Sequence, residues 1–409
     1  MAAIAGLRRG RCVQKLLIGR FFLSPFISRV GDSLYLFGLN WFVVKASGST
    51  ALLGIVQAVG GLTLLCGDLF CGVLIDNYNR KRILVVSEFI CLLACFSFAM
   101  IIDPENPAAW QLIGLTVMLD VGVAFSFPAA KAIVPEILAS SALQRFNAFS
   151  NTSLNLADIV TPLLGGLLLT LKWIDFRTFL LINGMSFTLS FLLLVGLRYH
   201  APAKRQTHLG FKASLMSGFK YVGAHQTLVE NVFLSGFANV LFAAVRLVLP
   251  FVVNHFYQAD PQKYSFLLTG LALGGILGGL RLTLVKRPTR RNDNYRDLVL
   301  AAVGLVVAGL VRQYWVLLLF AFVYGFAMAS FNIRAFTMTQ DATENEYLGR
   351  IFGIWFIALD GFQPLGSFVF GFLTDTTQNA TFLVIGVVLL IGLLLIRLGI
   401  NHVLPSTRD

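Results

Sequence analysis

Gly72-Val73-Leu74-Ile75-Asp76-Asn77-Tyr78-Asn79-Arg80-Lys81-Arg82 is a polar elbow between two long apolar runs. The run before it, 51–75, carries one charged residue, Asp68, and the run after it, 83–102, carries only Glu88. About 20 apolar residues cross a bilayer as a helix, and only structures that satisfy their own backbone groups survive there. Both runs are continuous rather than alternating, so they read as membrane helices joined by a short loop, not as barrel strands.

The whole chain repeats this pattern. Of its 409 residues 57% are hydrophobic and 13% charged, against roughly 25% charged in a soluble domain. That excludes a soluble enzyme, a disordered chain and a single-pass receptor. Twelve spans follow, at 16–44, 51–75, 83–102, 110–131, 144–171, 177–198, 228–254, 264–285, 297–311, 315–336, 350–373 and 380–400. Most breaks carry helix-ending residues, among them Ser47-Gly48-Ser49, Asp103-Pro104-Glu105-Asn106-Pro107 and Asp260-Pro261. The fold class is an all-α integral membrane protein with two six-helix bundles, 1–198 and 228–409, the latter ending in a short tail. They are joined by a linker at 199–227. In the linker Phe211, Leu215, Phe219 and Val222 recur at helical spacing, with Lys212 and Lys220 off that stripe. This predicts a helix lying on the membrane surface, or docking a partner.

The net charge of +12 comes from 32 Lys+Arg against 20 Asp+Glu. The basic residues fill the gaps between apolar runs, as the inner membrane face requires, so the bilayer rather than nucleic acid is the partner. The N-terminus, alternate loops and C-terminus hold 23 Lys and Arg, and the other loops 5. Both termini are therefore expected in the cytoplasm. MAAIAGLRRGRCVQK has the charged start of a signal peptide, but the run from Leu16 is too long for one and reads as a retained first span. Cys91 and Cys95 share a helix face without a nearby His or further acidic ligand and are expected to pack as small hydrophobes, with no metal bound.

Residues 72–82 resemble the signature of the major facilitator superfamily, G-x-x-x-D-(R/K)-x-G-x-(R/K)-(R/K), with Gly72, Asp76, Lys81 and Arg82 matching. Asn77 replaces the first basic residue. Asn79 replaces the second glycine, and as an asparagine it tolerates the left-handed backbone expected there. The resemblance implies two pseudo-symmetric bundles and a cytoplasmic gating latch at Gly72, Asp76, Arg80, Lys81 and Arg82; the bland alternative is a solvated loop that only sets topology. On the fifth span Ala157, Thr161, Pro162, Gly165 and Gly166 resemble the antiporter motif g-x-x-x-G-P-x-x-G-G. Arg29-Val30-Gly31-Asp32, Ile133 to Glu136 with Gln144 to Ala148, and Gly349-Arg350-Ile351-Phe352 are similar to the macrolide-efflux branch of drug:proton antiporters, a branch shared with bacterial enterobactin exporters.

Charges inside spans are functional candidates by default. Arg20, Glu230, Arg281 and Arg334 stand near helix ends, where long side chains reach the interface. Asp32, Asp120, Asp158, Arg246 and Asp360 lie deeper and are the proton-coupling candidates. A carboxyl withdrawn from water binds a proton more readily, so Asp32 and Asp120 come first, with Arg246 as a partner or as a contact for an anionic substrate. Many drug antiporters carry an Arg four residues before a helix-4 glycine; here Gly122 places Met118 there. Tyr35, Asn40, Trp41, Phe125, Phe127, Asn239, Phe242, Tyr324 and Asn332 are the candidate cavity lining on the helices this resemblance assigns to the cavity. Packing between helices is the default for each aromatic.

The expected function is proton-coupled export of a lipophilic or amphipathic small molecule, such as a macrolide-like drug, across a bacterial inner membrane by a monomer. A siderophore-like metabolite or a lysolipid is the alternative substrate. No cofactor is expected beyond an ion gradient. A channel lacks a filter-like stretch. An enzyme would need H-E-x-x-H, G-x-S-x-G or a phosphate loop, none of which occurs, and the five His all fall in loops or tails.

Overall fold

The computed structural model describes residues 2–137, 140–171, 174–197, 211–284, 290–344 and 347–403. Among them the chain forms α1 (Ala2–Ser47), α2 (Ala51–Asn77), α3 (Arg80–Ile101), α4 (Ala109–Ile137), α5 (Ser140–Leu169), α6 (Phe176–Val195) and α7 (Phe211–Ala224). It continues with α8 (Gln226–Phe256), α9 (Pro261–Leu284), α10 (Arg291–Leu310), α11 (Tyr314–Asp341), α12 (Leu348–Thr377), a short 3-10 turn and α13 (Thr381–Val403). Apart from α7, each α-helix answers to one expected span. Over their described residues eight helices are long and apolar enough to cross a membrane, with shorter apolar stretches at Ala51–Gly67 and Ile159–Leu169.

The first span starts fourteen residues before its expected bounds of 16–44, and the ninth also departs from its expected 297–311. Helix α10 begins six residues earlier, because Asp293 accepts from the backbone N–H of Arg290 at 3.2 Å and turns the polar stretch into a capped first turn. The linker helix α7 also departs from a pure membrane-surface role. Gly218 packs on Arg350 and Ile354 of α12, and Val222 joins a core with Leu228, Ile351 and Ile354. Met216 and Phe219 remain exposed, while the side chains of Phe211 and Leu215 lie outside the described residues.

The chain divides into two compact units. Unit 1 is Met1–Phe42 with Thr63–Gln206, and unit 2 is Val43–Leu62 with Thr207–Asp409. The sequence reading placed 43–62 in the N-terminal half; here that segment packs with unit 2. Its Thr50 donates from Oγ1 to the Gly371 carbonyl at 2.7 Å and from its backbone N–H to Asp375 at 2.9 Å. The Ser49 hydroxyl also donates to Asp375. Asp375 on α12 therefore caps the N-terminus of α2.

Small residues set how closely the helices approach. In unit 1, Gly31 and Gly38 of α1 face Asn183 with Ser186, and the Phe179 ring, all on α6. In unit 2, Gly270, Gly274 and Gly278 stand four apart on α9 and bring it against the backbone of α11 at Phe322 and Phe326. This spacing is plain in the sequence. A Cβ at Gly274 would overlap the α11 backbone, so Gly274→Val should cost about 1–3 kcal/mol. At Gly279 the nearest atom, Ile333 Cδ1, is 3.4 Å away, so Gly279→Ala should be neutral. Thermal unfolding of the purified protein checks this as a lowered midpoint for the first variant only; equal midpoints would mean α9 and α11 are not in backbone contact.

Candidate functional site

Ser24, Ser28, Asp32 and Tyr35 recur every three or four residues and share one face of α1. Because Gly31 lets α6 come close, fully buried Asn183 donates from Nδ2 to Asp32 at 3.1 Å. One turn earlier, Ser28 Oγ lies 3.1 and 3.0 Å from the two carboxyl oxygens of Glu88 on α3, and 3.2 Å from the Ser24 carbonyl. The Ser24 and Ser190 hydroxyls share a hydrogen bond of 2.7 Å. The charge of Asp32 acts on Glu88 and on half-buried Asp120 of α4. Three carboxyl groups on α1, α3 and α4 thus lie within electrostatic reach, lined by hydroxyls and an amide. Buried Tyr35 and Thr116 neighbour one another above them without the geometry of a hydrogen bond.

Glu88 is the member sequence reasoning passed over. The available signal was its company: Ser24, Ser28 and Ser190 are polar residues spaced to share faces inside apolar runs. Met118 is exposed, whereas Asp120 stands about 200° further round α4, so Asp120 does not occupy the face of the missing arginine. Gly122 packs instead on the buried thiol of Cys91, which donates weakly to the Leu119 carbonyl at 3.8 Å. Cys91 and Cys95 are both free and buried.

Of the other charge candidates, Asp158 has its side chain outside the described residues, and Asp360 is exposed on α12. Arg246 was expected deep; its side chain is exposed on α8 and lies over the Phe242 ring at 5.7 Å. That ring stacks on Tyr324 at 6.3 Å and 4°. Glu230 and Arg334 correct the expectation that they reach for the interface. Glu230 is buried, 2.6 Å from Arg291, and accepts the Tyr295 hydroxyl at 2.5 Å. Arg334 is buried and pairs with Asp297 at 2.5 Å. Arg281 lies over the Phe326 ring at 5.5 Å.

The aromatic and amide candidates divide in the same way. Trp41 and Tyr324 are fully buried packing residues, and Phe125 packs on the cluster of Leu84, Ala129, Ile133 and Leu194. Phe127 is exposed beneath the Lys131 ammonium at 4.3 Å. Buried Asn40 lies on α1 in unit 1, and Asn239 donates to the Ser235 carbonyl at 2.9 Å. Tyr324 Oη and Asn332 Oδ1 are buried without a hydrogen-bond partner.

The elbow keeps its turn by a different device from the one expected. Asn79 is extended, φ −68° and ψ 114°, and its side chain accepts from the Arg82 backbone N–H at 3.3 Å, capping α3. Arg80 donates to the Ala132 carbonyl on α4 and Lys81 to the Val195 carbonyl on α6, each at 3.0 Å. The two cations thus bind the closing turns of neighbouring helices in unit 1, where helix dipoles favour positive charge. Arg82 is exposed. Gly72 and Asp76 fall on the last turns of α2, with side chains outside the described residues. On α5, Ala157, Thr161, Pro162, Gly165 and Gly166 are all buried. Gly165 admits the Phe37 ring of α1, which a Cβ would displace.

Apolar spans in two units, with ionisable groups buried inside both, are the make-up of a multi-pass membrane transporter. The chain belongs to the transmembrane secretion effector family of the major facilitator superfamily, whose model matches residues 17–408. Similar relatives include the enterobactin exporters EntS of Shigella boydii serotype 4 and Escherichia coli O1:K1 / APEC. Each is 24% identical over 388 residues, covering 92% of this chain and 91% of the relative. Among solved structures, the nucleoside transporter NupG aligns with a TM-score of 0.71 at 13% identity over 93% of this chain and 98% of its own. A bacterial homologue of the human lysosomal transporter Spinster aligns with 0.67 at 12% identity over 97% and 99%. At these identities the structures establish the fold.

Two stability predictions follow from these contacts. Asn79→Ala should lose about 0.5–2 kcal/mol as a missing N-cap, while Asn79→Asp is neutral and Asn79→Gly costs only a few tenths; a more stable glycine variant would instead indicate a left-handed turn. Arg334→Leu strands Asp297 and should cost about 3–5 kcal/mol, most of it recovered in the Asp297→Leu, Arg334→Leu double variant. Unfolding of each variant in detergent measures both.

Proposed function

We propose that this protein exports an amphipathic small molecule from the bacterial cytoplasm by alternating access driven by proton entry, as a monomer in the inner membrane with both termini inside. The observation that carries the coupling is the pair Asp32 and Asp120 on facing helices of unit 1, with Asp32 held by the Asn183 amide. A neutral donor leaves a carboxyl group able to gain or lose its proton, which a close guanidinium would prevent.

For the substrate, the named relatives favour a siderophore-like metabolite over a macrolide-like drug. Arg246, exposed beside the Phe242 ring, offers a cation and an aromatic face together. That suits an anionic compound with aromatic groups better than a sugar. Lysolipid movement has no observation of its own here.

The test is transport by the full-length protein in proteoliposomes, with a tricatecholate siderophore and a macrolide as probes, under an imposed proton gradient later collapsed by a protonophore. Gradient-dependent movement of the siderophore, abolished in Asp32→Asn or Asp120→Asn, is the expected result. Movement of the macrolide alone would transfer the substrate to the drug class. Full retention in both variants would remove these residues from coupling.

A further inference from the structure

We propose that Glu88 is a second proton-binding site that exchanges protons with Asp32; this rests on the proton-coupled reading above. Glu88 is 5% exposed, and among the described residues no Lys or Arg lies within ion-pair distance of it.

Its burial without a cation counts in favour of the neutral acid, and the hydroxyl beside it can serve either form, donating to a carboxylate or accepting from an acid. Ser28 has one hydroxyl hydrogen and three acceptors around it: both Glu88 oxygens and the Ser24 carbonyl. A carboxylate offers only acceptors, so with Glu88 ionised this single hydrogen is contested. With Glu88 protonated its own O–H can donate to Ser28 Oγ, and Ser28 can donate to the Ser24 carbonyl, so the contest for the Ser28 hydrogen ends. A buried carboxylate with hydroxyl partners alone is costly.

The groups facing Glu88 fit a relay. From α1 comes Asp32, on which the exposed Arg29 also acts; Asp120 of α4 is coupled to Asp32 rather than to Glu88; and the described polar residues of α6 here, Asn183, Ser186 and Ser190, are uncharged. The thiols of Cys91 and Cys95 lie on its own helix. Along α3, Glu88 stands eight residues beyond Arg80, about 12 Å from the basic end. In the relay step the Asp32 acid loses its proton and the Glu88 carboxylate gains one. One O–H bond breaks and one forms, and the pair keeps a single negative charge.

Infrared spectra of the purified full-length protein in lipid, titrated with pH, should contain a protonated-carboxyl carbonyl band that disappears in Glu88→Gln and returns in Glu88→Asp. In the proteoliposome assay, with the same siderophore and macrolide probes, Glu88→Gln should lose gradient-driven transport but keep substrate exchange, which needs no net proton transfer. A band unchanged in Glu88→Gln overturns the proposal. So does full gradient-driven transport in Glu88→Gln when Asp32→Asn has lost it, and that result leaves the coupling reading intact. Retention in both variants overturns the coupling reading itself.

Discussion

A polar group placed in hydrocarbon must find its partner within the protein, and the two units meet that demand with different chemistry. Unit 2 pairs charge with charge. Glu230 lies on Arg291, and Arg334 on Asp297, so each acid has as its partner a guanidinium that never gives up its proton. Unit 1 pairs acids with neutral donors: Asp32 with Asn183, and Glu88 with Ser28. Desolvation disfavours an ion in both, but only in unit 1 is the protonated alternative left open.

This division separates scaffolding from chemistry. The unit 2 pairs tie α10 to α8 and α11, and an amide ladder continues the tie: Asn294 donates to Asn231 at 3.3 Å, and Asn231 to Thr339 at 3.4 Å. Removing one charge there leaves another stranded, so the network is costly to disturb and poorly suited to cycling. A carboxyl held by a serine can gain or lose a proton with only one hydroxyl turning to suit it. A device that must load and release protons belongs with the second kind of partner.

Close helix approach makes either arrangement possible. Gly31 brings Asn183 within reach of Asp32, and Gly122 seats the Cys91 thiol on α4. The family motif on α5 does similar work, since Gly165 accepts Phe37 and so fixes the face of α1 that carries Asp32. Small residues far from any charge therefore decide where the charges meet.

The spans, the two bundles and the linker helix were legible because each depends on local composition: apolar run length, loop charge and helix-ending residues all act within a few positions. The partners of the charges were not. Arg334 near a helix end reads like any long side chain free to reach water, and only the approach of α10, lengthened by its Asp293 cap, buries it on Asp297. Asn79 reads as a stand-in for glycine, yet it serves through its side chain oxygen rather than a permissive backbone. Glu88 and Arg246 trade places for the same reason. Glu88 was one charge among several within spans, while Arg246 was singled out as lying deep. Tertiary packing left Arg246 exposed over Phe242 and closed three helices around Glu88. Sequence shows that a charge sits in the membrane; the distance to the nearest donor shows whether it can ever be discharged.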